Sequence, residues 1–512
     1  MLELKNLTIT THKDRCLLKN FSFVLNKNDK IAIIGEEGNG KSTLLQAIVS
    51  LNLVKDYVNV EGHINKNNAQ CGYLAQSLSP IWNECDFFEF LVKENPIDEL
   101  ELEQYNDYPE LTRCLAEVDL NVTFLQDSKL VKTCSGGEKV KLQLAKLLYK
   151  KPDFLLLDEP TNDLDLKTLI WLEEFIKNQP MPILFISHDE TLLENCANGI
   201  IHLEQLKRKT ESSWTVEHIG YRAYCEKRSY HVERTNRIAS KEKAEYNQQL
   251  ERYRKLYQRV DHELNSVSRQ NPHGGQLLKK KMKSVKALGS RLENKELTSK
   301  VEPEEAIDLF FEPISLNANK VILDIHLDTL EMKNKVLCKD LDLYVKGNEH
   351  IVIIGQNGTG KTTLIKKILE ILKMRTDVKV GYCPQYYGEL LPMDKTPIEF
   401  LLTDLEYTMK SKIQTYLGSL KFTPDEMEHP LHNLSYGQRC KVLLVYLVIH
   451  QFDVLILDEP TRNMSALSTP VIRKIFSEFK GCIISVSHDR KFIDEVCDTV
   501  YEIKDYHLTK LD

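Results

Sequence analysis

A chain of 512 residues, 42% hydrophobic and 28% charged, can bury two ordinary cores plus a connector, and its net charge of −7 excludes a uniformly basic nucleic-acid binder. No apolar run comes near the roughly 18 to 20 residues that span a bilayer, and "MLELKNLTIT" lacks the basic-then-apolar layout of a leader, so neither membrane embedding nor secretion is expected. Twelve cysteines are scattered, the nearest pair (Cys71 and Cys85) lying 14 apart, which excludes CxxC zinc or redox spacing and suits reduced thiols in a cytoplasmic protein.

In chain order, the first element with a chemical signature is "IAIIGEEGNGKSTLL" at Ile31: a β-rich apolar run, a glycine-rich turn, then a helix pattern. Gly35, Gly38 and Gly40 let backbone N–H groups converge on phosphate oxygens at a helix N-terminus. Lys41 would reach the β- and γ-phosphates of ATP, and Ser42, followed by Thr43, offers a hydroxyl to Mg²⁺. Further on, "FLLLDEPTNDLD" is apolar up to two carboxylates, as expected of a strand buried on both faces. Asp158 stands where an aspartate holds Mg²⁺, and Glu159 is the natural base for polarising an attacking water. Neighbours on a strand point to opposite sides, so one of this pair has to turn out at the strand's end.

Past His188 in "LFISHDE" the composition changes. Residues 221–300 hold 20 Lys and Arg against 9 Asp and Glu, a surplus of 11 that leaves −18 on the rest of the chain. An acidic body with one basic segment points to a local polyanion-binding element. Tyr246, Leu250, Tyr253, Leu256, Tyr257, Val260 and Leu264 recur at three- and four-residue spacing, the mark of an amphipathic helix of about 40 residues. "NPHGG" (271–275) reads as the break, with a second helix from about Gln276 that carries Lys279, Lys280, Lys281 and Lys283. A long helical hairpin is expected, and no aromatic side chain lies in its turn.

The chain then repeats itself. "IVIIGQNGTGKTTLI" returns Gly355, Gly358, Gly360, Lys361, Thr362 and Thr363; "VLILDEPTRNMS" returns Asp458 and Glu459; "IISVSHDR" returns His488. The offset is 320 residues at the lysines and 300 at the aspartates and histidines, so the first copy is 20 residues longer in between.

These motifs resemble those of ATP-binding-cassette ATPases. "CSGGE" (Ser135, Gly136, Gly137) and "LSYGQ" (Ser435, Gly437) look like the family's signature, Gln76 and Gln385 match its Q-loop, and His188 and His488 match its switch histidine. The resemblance implies two α/β cassettes closing head to tail, each ATP lying between one P-loop and the other cassette's signature. Glu159, Glu459, His188 and His488 would be catalytic, while Ser42, Gln76, Asp158, Thr362, Gln385 and Asp458 would hold Mg²⁺. His12 would stack on adenine in the first copy and Met332 would take that place in the second. Tyr436 and Gln438 depart from the signature pattern, and the aspartate of "NDLD" has no partner in "RNMS". The two sites are therefore expected to be unequal, the second signature gripping ATP less tightly.

The order cassette, basic helical hairpin, cassette resembles the ABC-F group over nearly the whole chain. Boundaries at 1–224, 225–303 and 304–512 are expected, with the hairpin tip near 267–275. The resemblance implies a monomer that enters the E site of the bacterial 70S ribosome with ATP and reaches, along 23S rRNA and the P-site tRNA, toward the peptidyl-transferase centre. "LDEPTRNMSALS" and "LSYGQR" look like the branch that protects the 50S subunit against lincosamides, streptogramin A and pleuromutilins. Arg269, Gln270, His273 and Gln276 are the tip candidates, and the lysines after them would grip RNA phosphates. A housekeeping translation factor of the same architecture and the ATPase subunit of a drug exporter remain alternatives.

Overall fold

The computed structural model describes residues 2–100, 107–125, 129–206, 211–266, 272–295, 309–313, 316–332, 335–462 and 464–511. It divides into two compact units: Met1–Arg222 with Ile307–Asp512, and Ala223–Ala306. The first unit contains both copies of the repeat.

Each copy is built on a six-stranded sheet with the P-loop strand inside it. In the first copy the spatial order is Cys71–Leu74, Phe154–Asp158, Ile183–Ile186, Lys30–Ile34, Gly199–Leu206 and Glu211–Glu217. In the second it is Val380–Cys383, Val454–Asp458, Cys482–Val486, His350–Gly355, Thr499–Lys504 and His507–Leu511. All neighbours pair in parallel except the last pair of each sheet. The two carboxylate strands are buried at every position, which accounts for their unbroken apolar runs. In the first copy Leu44, Leu45 and Ile48, from the helix after the P-loop, pack on Ile31, Ile33, Leu156 and Leu184. In the second, Leu364, Ile365 and Ile368 pack on Ile351, Ile353, Ile456 and Ile484. Each such side chain withdrawn from water contributes about 2 kcal/mol.

The extra length of the first copy has a definite place. Eleven of its 20 additional residues fall between Lys41 and Gln76. There the strand Val58–Asn65 adds to the antiparallel pair Leu2–Thr11 and Cys16–Leu25, whereas the second copy pairs only Val321–Met332 with Lys335–Lys346.

The second unit is an antiparallel helical hairpin. Tyr221–Ser266 is one helix of 46 residues, about 70 Å long, and Pro272–Glu293 is its partner. Val260 packs on Met282 and Val285, with Tyr253 and Tyr257 alongside. Gly289 admits the Tyr253 ring, since an added Cβ would lie 2.6 Å from its hydroxyl. Glu263 pairs with Lys281 at 3.5 Å. The placement of the break needs correction. Pro272 opens the second helix, where its fixed φ and missing N–H fit the first turn, so most of "NPHGG" is helical. Residues 267–271 lie outside the described residues. Among the described residues no helix is long and apolar enough to cross a membrane.

Candidate active site

The two phosphate loops are built alike. Gly40 and Gly360 hold left-handed φ angles of +88° and +98° and cap the helices Lys41–Val49 and Lys361–Lys373. A Cβ at either would press on Leu17 (3.1 Å) or Leu337 (2.9 Å), so glycine is required twice over. Lys41 and Lys361 are buried and fold back on their own loops: Lys41 Nζ donates to the carbonyls of Gly35 (2.8 Å) and Glu36 (3.1 Å), Lys361 Nζ to those of Gly355 and Gln356 (both 2.8 Å). Burial lowers the pKa of both ammonium groups, against the pull of the carboxylates around them. An arriving phosphate would add counter-charge to both. Thr43 and Thr363 follow in the first helical turns, Thr363 bonding its hydroxyl to Met332 Sδ at 3.6 Å.

At the strand ends the carboxylates separate as the pleat requires. Glu159 and Glu459 take left-handed φ angles of +49° and +55°, uncommon for any residue but glycine, and this twist turns them out of the strand while Asp158 and Asp458 stay buried. In the first copy Ser42 Oγ donates to Asp158 at 2.9 Å and Tyr73 OH at 3.2 Å. Gln76 Nε2 and Asn162 Nδ2 each donate to Glu159 at 2.8 Å, and His188 Nε2 lies 3.3 Å from its other oxygen. Burial pushes the Glu159 carboxyl up, but His188, Asn162 and Lys41 together outweigh it and hold the group at about 2.

The second copy is different. Its Asp458 has both oxygens buried without an aligned hydrogen-bond partner, although Thr362 stands beside it. Glu459 receives the His488 N–H at 3.3 Å, with Nε2 of that histidine 3.6 Å away. Burial, reinforced by the charge of Asp458, pushes Glu459 up to about 8, and burial takes His488 down to about 4. The residue matching Asn162 is Arg462, which reaches away to Asp163 at 2.5 Å.

These donor sets fit magnesium. Burial pushes Asp158 and Asp458 up to about 6, so each gains from a hard cation, and each has a helix-borne hydroxyl, Ser42 or Thr362, next to it. No cluster of three or more His, Cys, Asp or Glu able to cage a metal occurs among the described residues. One carboxylate, one hydroxyl and nucleotide phosphates are a usual Mg²⁺ set.

Both phosphate loops meet the opposite copy. A cavity of about 570 Å³ is lined by Lys361, Thr362, Gln385, Asp458, Glu459 and His488 on one side and by Gly136, Asn162, Asp163 and His188 on the other. Met332 lines it too, and Asn357 Nδ2 closes an edge on the Asp163 carbonyl at 2.6 Å. At the other end the N–H of Gly437 donates to Glu37 Oε2 at 2.7 Å, and Lys441 lies 3.4 Å from Glu36. Ser135 and Ser435 cap the helices Gly136–Tyr149 and Tyr436–Ile449 through capping boxes with Glu138 and Gln438, so glutamine keeps the local structure that glutamate provides in the first copy.

Several participants carried no motif. Glu37 and Arg462 are recognisable only once segments hundreds of residues apart are brought together, Tyr73 meets Asp158 from 85 residues upstream, and Asn162 lies three residues beyond the glutamate it holds. Arg15, whose guanidinium donates to the Gly38 carbonyl at 3.2 Å, stands beside an exposed His12 in a hairpin with no signature. Tyr436 stacks on Tyr387 at 4.4 Å and bonds its hydroxyl to the Gln385 carbonyl at 2.6 Å, tying this signature to its own Q-loop. On the hairpin, Gln276, Lys279, Lys280, Lys281 and Lys283 are exposed; Arg269, Gln270 and the His273 side chain lie outside the described residues.

Comparison with known proteins gives consistent matches. A family model described as ABC transporter matches residues 18–162 and 338–462, just over half of the chain. The chain is 28% identical to ABC transporter F family member 2 of Arabidopsis thaliana, over 96% of this chain and 74% of that protein. It is 27% identical to the ribosome protection protein VmlR of Bacillus subtilis strain 168, over 100% and 88%. Among solved structures, an archaeal ribosome recycling factor in complex with a ribosomal stalk protein superposes with a TM-score of 0.58 at 16% identity, over 97% of this chain and 87% of that one, a likeness of fold.

Proposed function

The chain belongs to the ATP-binding-cassette family as a tandem ATPase of the ABC-F type, and from this premise we propose that it acts on the bacterial ribosome. In this reading it enters the 50S E site with ATP and meets 23S rRNA and the P-site tRNA. Its hairpin extends toward the peptidyl-transferase centre and protects the ribosome against lincosamide, streptogramin A and pleuromutilin drugs, and hydrolysis releases it into the cytoplasm. The observation that carries the reading is a basic helical hairpin inserted between two cassettes whose phosphate loops each face the other's signature. Exposed lysines along the shorter helix suit RNA phosphates. The relative named for ribosome protection matches the full length, hairpin included.

The residues divide the ATPase work. Lys41 and Lys361 leave their loop carbonyls for phosphate oxygens, and the signature N–H groups and helix N-termini cover the γ-phosphate when the cassettes close. Ser42, Asp158 and Gln76 would hold Mg²⁺ at the first site and Thr362, Asp458 and Gln385 at the second, where the ion neutralises charge on the β- and γ-phosphates. Glu159 and Glu459 orient and polarise the attacking water, with His188 and His488 beside them.

The test is a Glu159→Gln, Glu459→Gln double variant, which should be trapped with ATP and pellet with 70S ribosomes. Free protein in the supernatant refutes ribosome binding and turns attention to a drug-efflux assay. Inhibitory concentrations in a drug-sensitive host decide the finer point. Pelleting without any change toward 50S drugs would assign a housekeeping role.

A further inference from the structure

At the edge of the cassette interface beside the switch histidines lies an ion network that the ATP chemistry does not use. Arg473 grips Glu190 through two nitrogens at 2.6 and 3.3 Å, and Arg490 pairs with Glu173 and, at 3.4 Å, with Asp189. Lys491 adds Glu190 at 3.1 Å and Glu194 at 2.7 Å. Arg473, Glu173 and Glu190 are 2%, 6% and 7% exposed, so their charges are neutralised by one another far more than by water.

The internal repeat gives this network a meaning. At the 300-residue offset Glu173 corresponds to Arg473, and Glu190 to Arg490. The contact of Arg473 with Glu190 is thus the pseudo-symmetric image of the contact of Glu173 with Arg490, with the signs exchanged. The first cassette contributes only acids at these positions and the second only arginines. A pair of first cassettes would bury Glu173 against Glu190, and a pair of second cassettes would bury Arg473 against Arg490. Unpaired like charges at a dry contact are strongly unfavourable.

We infer that this surface is a pairing code: it makes each cassette accept only the cassette of opposite sign, the one in its own chain, and excludes homotypic pairing between chains. Because these contacts need no phosphate, they also keep the correct partner in register while nucleotide leaves. The supporting residues follow the same logic. Asn195 donates to Glu173 at 2.9 Å, and its counterpart Glu495 accepts from Arg473 at 2.7 Å, so each cassette stabilises its own sign from behind.

The experiment exchanges four positions between the cassettes of the full-length protein. One variant (Arg473→Glu, Arg490→Glu, Lys491→Thr, Glu495→Asn) makes both faces acidic. A second (Glu173→Arg, Glu190→Arg, Thr191→Lys, Asn195→Glu) makes both basic. A third carries all eight changes and so exchanges the code between the cassettes. ATP turnover should fall at least tenfold in the first two and return to within threefold of the parent in the third. Half-exchanged chains as active as the parent would overturn the proposal. So would an eight-fold variant that is folded, by its thermal transition, yet no better than the halves.

Discussion

The sharpest consequence of the two unequal carboxylates is that the two ATP sites should respond differently to pH. Glu459 is pushed up to about 8 by burial and the charge of Asp458, while Glu159 is held at about 2 by His188, Asn162 and Lys41 against its own burial. A base works only when ionised. The raised group is protonated below its pKa, so activity of the second site should increase with pH, whereas the first site's base is ionised throughout. At pH 7 a carboxyl titrating near 8 is about one-tenth ionised, and at pH 9 about nine-tenths. The expected rise in the second site's rate between pH 7 and pH 9 is therefore about ninefold. His488, at about 4, stays neutral over that interval and adds no second step. The assay is phosphate release at saturating Mg²⁺-ATP from pH 6.5 to 9, in Glu159→Gln, where only the second site works, and in Glu459→Gln, where only the first does. Superimposable profiles, or a rise confined to the first site, would refute the reasoning.

Three other outcomes are expected. Replacing Glu37 by asparagine, the residue at the matching position 357, removes a charge-assisted hydrogen bond to the Gly437 N–H that ATP has to displace. At about 1 to 2 kcal/mol this should lower the first site's KM about five- to thirtyfold in the Glu459→Gln background. Tyr436→Phe keeps the stack on Tyr387 and loses about 1 kcal/mol of bonding to the Gln385 carbonyl, so the Hill coefficient for ATP should drop while the thermal midpoint moves by a few degrees at most. Gly358→Ala meets no atom within 4 Å and should cost only the left-handed strain, about 1 kcal/mol, whereas Gly360→Ala also strikes Leu337 and should lower the melting temperature further, as calorimetry would show.

The parts of the site legible in the sequence are those whose chemistry demands adjacent residues. A phosphate loop needs its glycines, lysine and hydroxyl within eight positions, and a buried strand ending in two carboxylates declares itself by its apolar run. Contacts between segments hundreds of residues apart leave no such trace: nothing near Glu37 points to Gly437, nor anything near Asn357 to Asp163. Tyr436 looks like a weakened signature when only its missing glycine is counted, because its partner, the Gln385 carbonyl, is backbone and invisible in a motif. "NPHGG" reads as a break because each residue disfavours helix interiors, yet proline is at home in a first turn, and the helix starts there. The amphipathic stripe was sounder: Tyr253, Tyr257 and Val260 do face the second helix, since burial of a face sets its own period.

Two departures from internal symmetry fall where the copies face each other, and together they would divide the labour. Position 162 is asparagine in one copy, holding its glutamate ionised, and position 462 is arginine, turned away to Asp163. Position 37 is a carboxylate seated on the Gly437 N–H, and position 357 an amide that bridges to the Asp163 carbonyl. So the first site has a ready base but an occupied anion seat, while the second has an open cavity of about 570 Å³ and a base that burial keeps protonated. A nucleotide should therefore meet less resistance at the second site and react more slowly there. At the first it should meet resistance and, once seated, an ionised glutamate. Such an arrangement suits a clamp in which one ATP holds the cassettes shut and the other sets the moment of release. If the first site reacted no faster than the second at neutral pH, this division would be wrong even if both sites bound ATP as described.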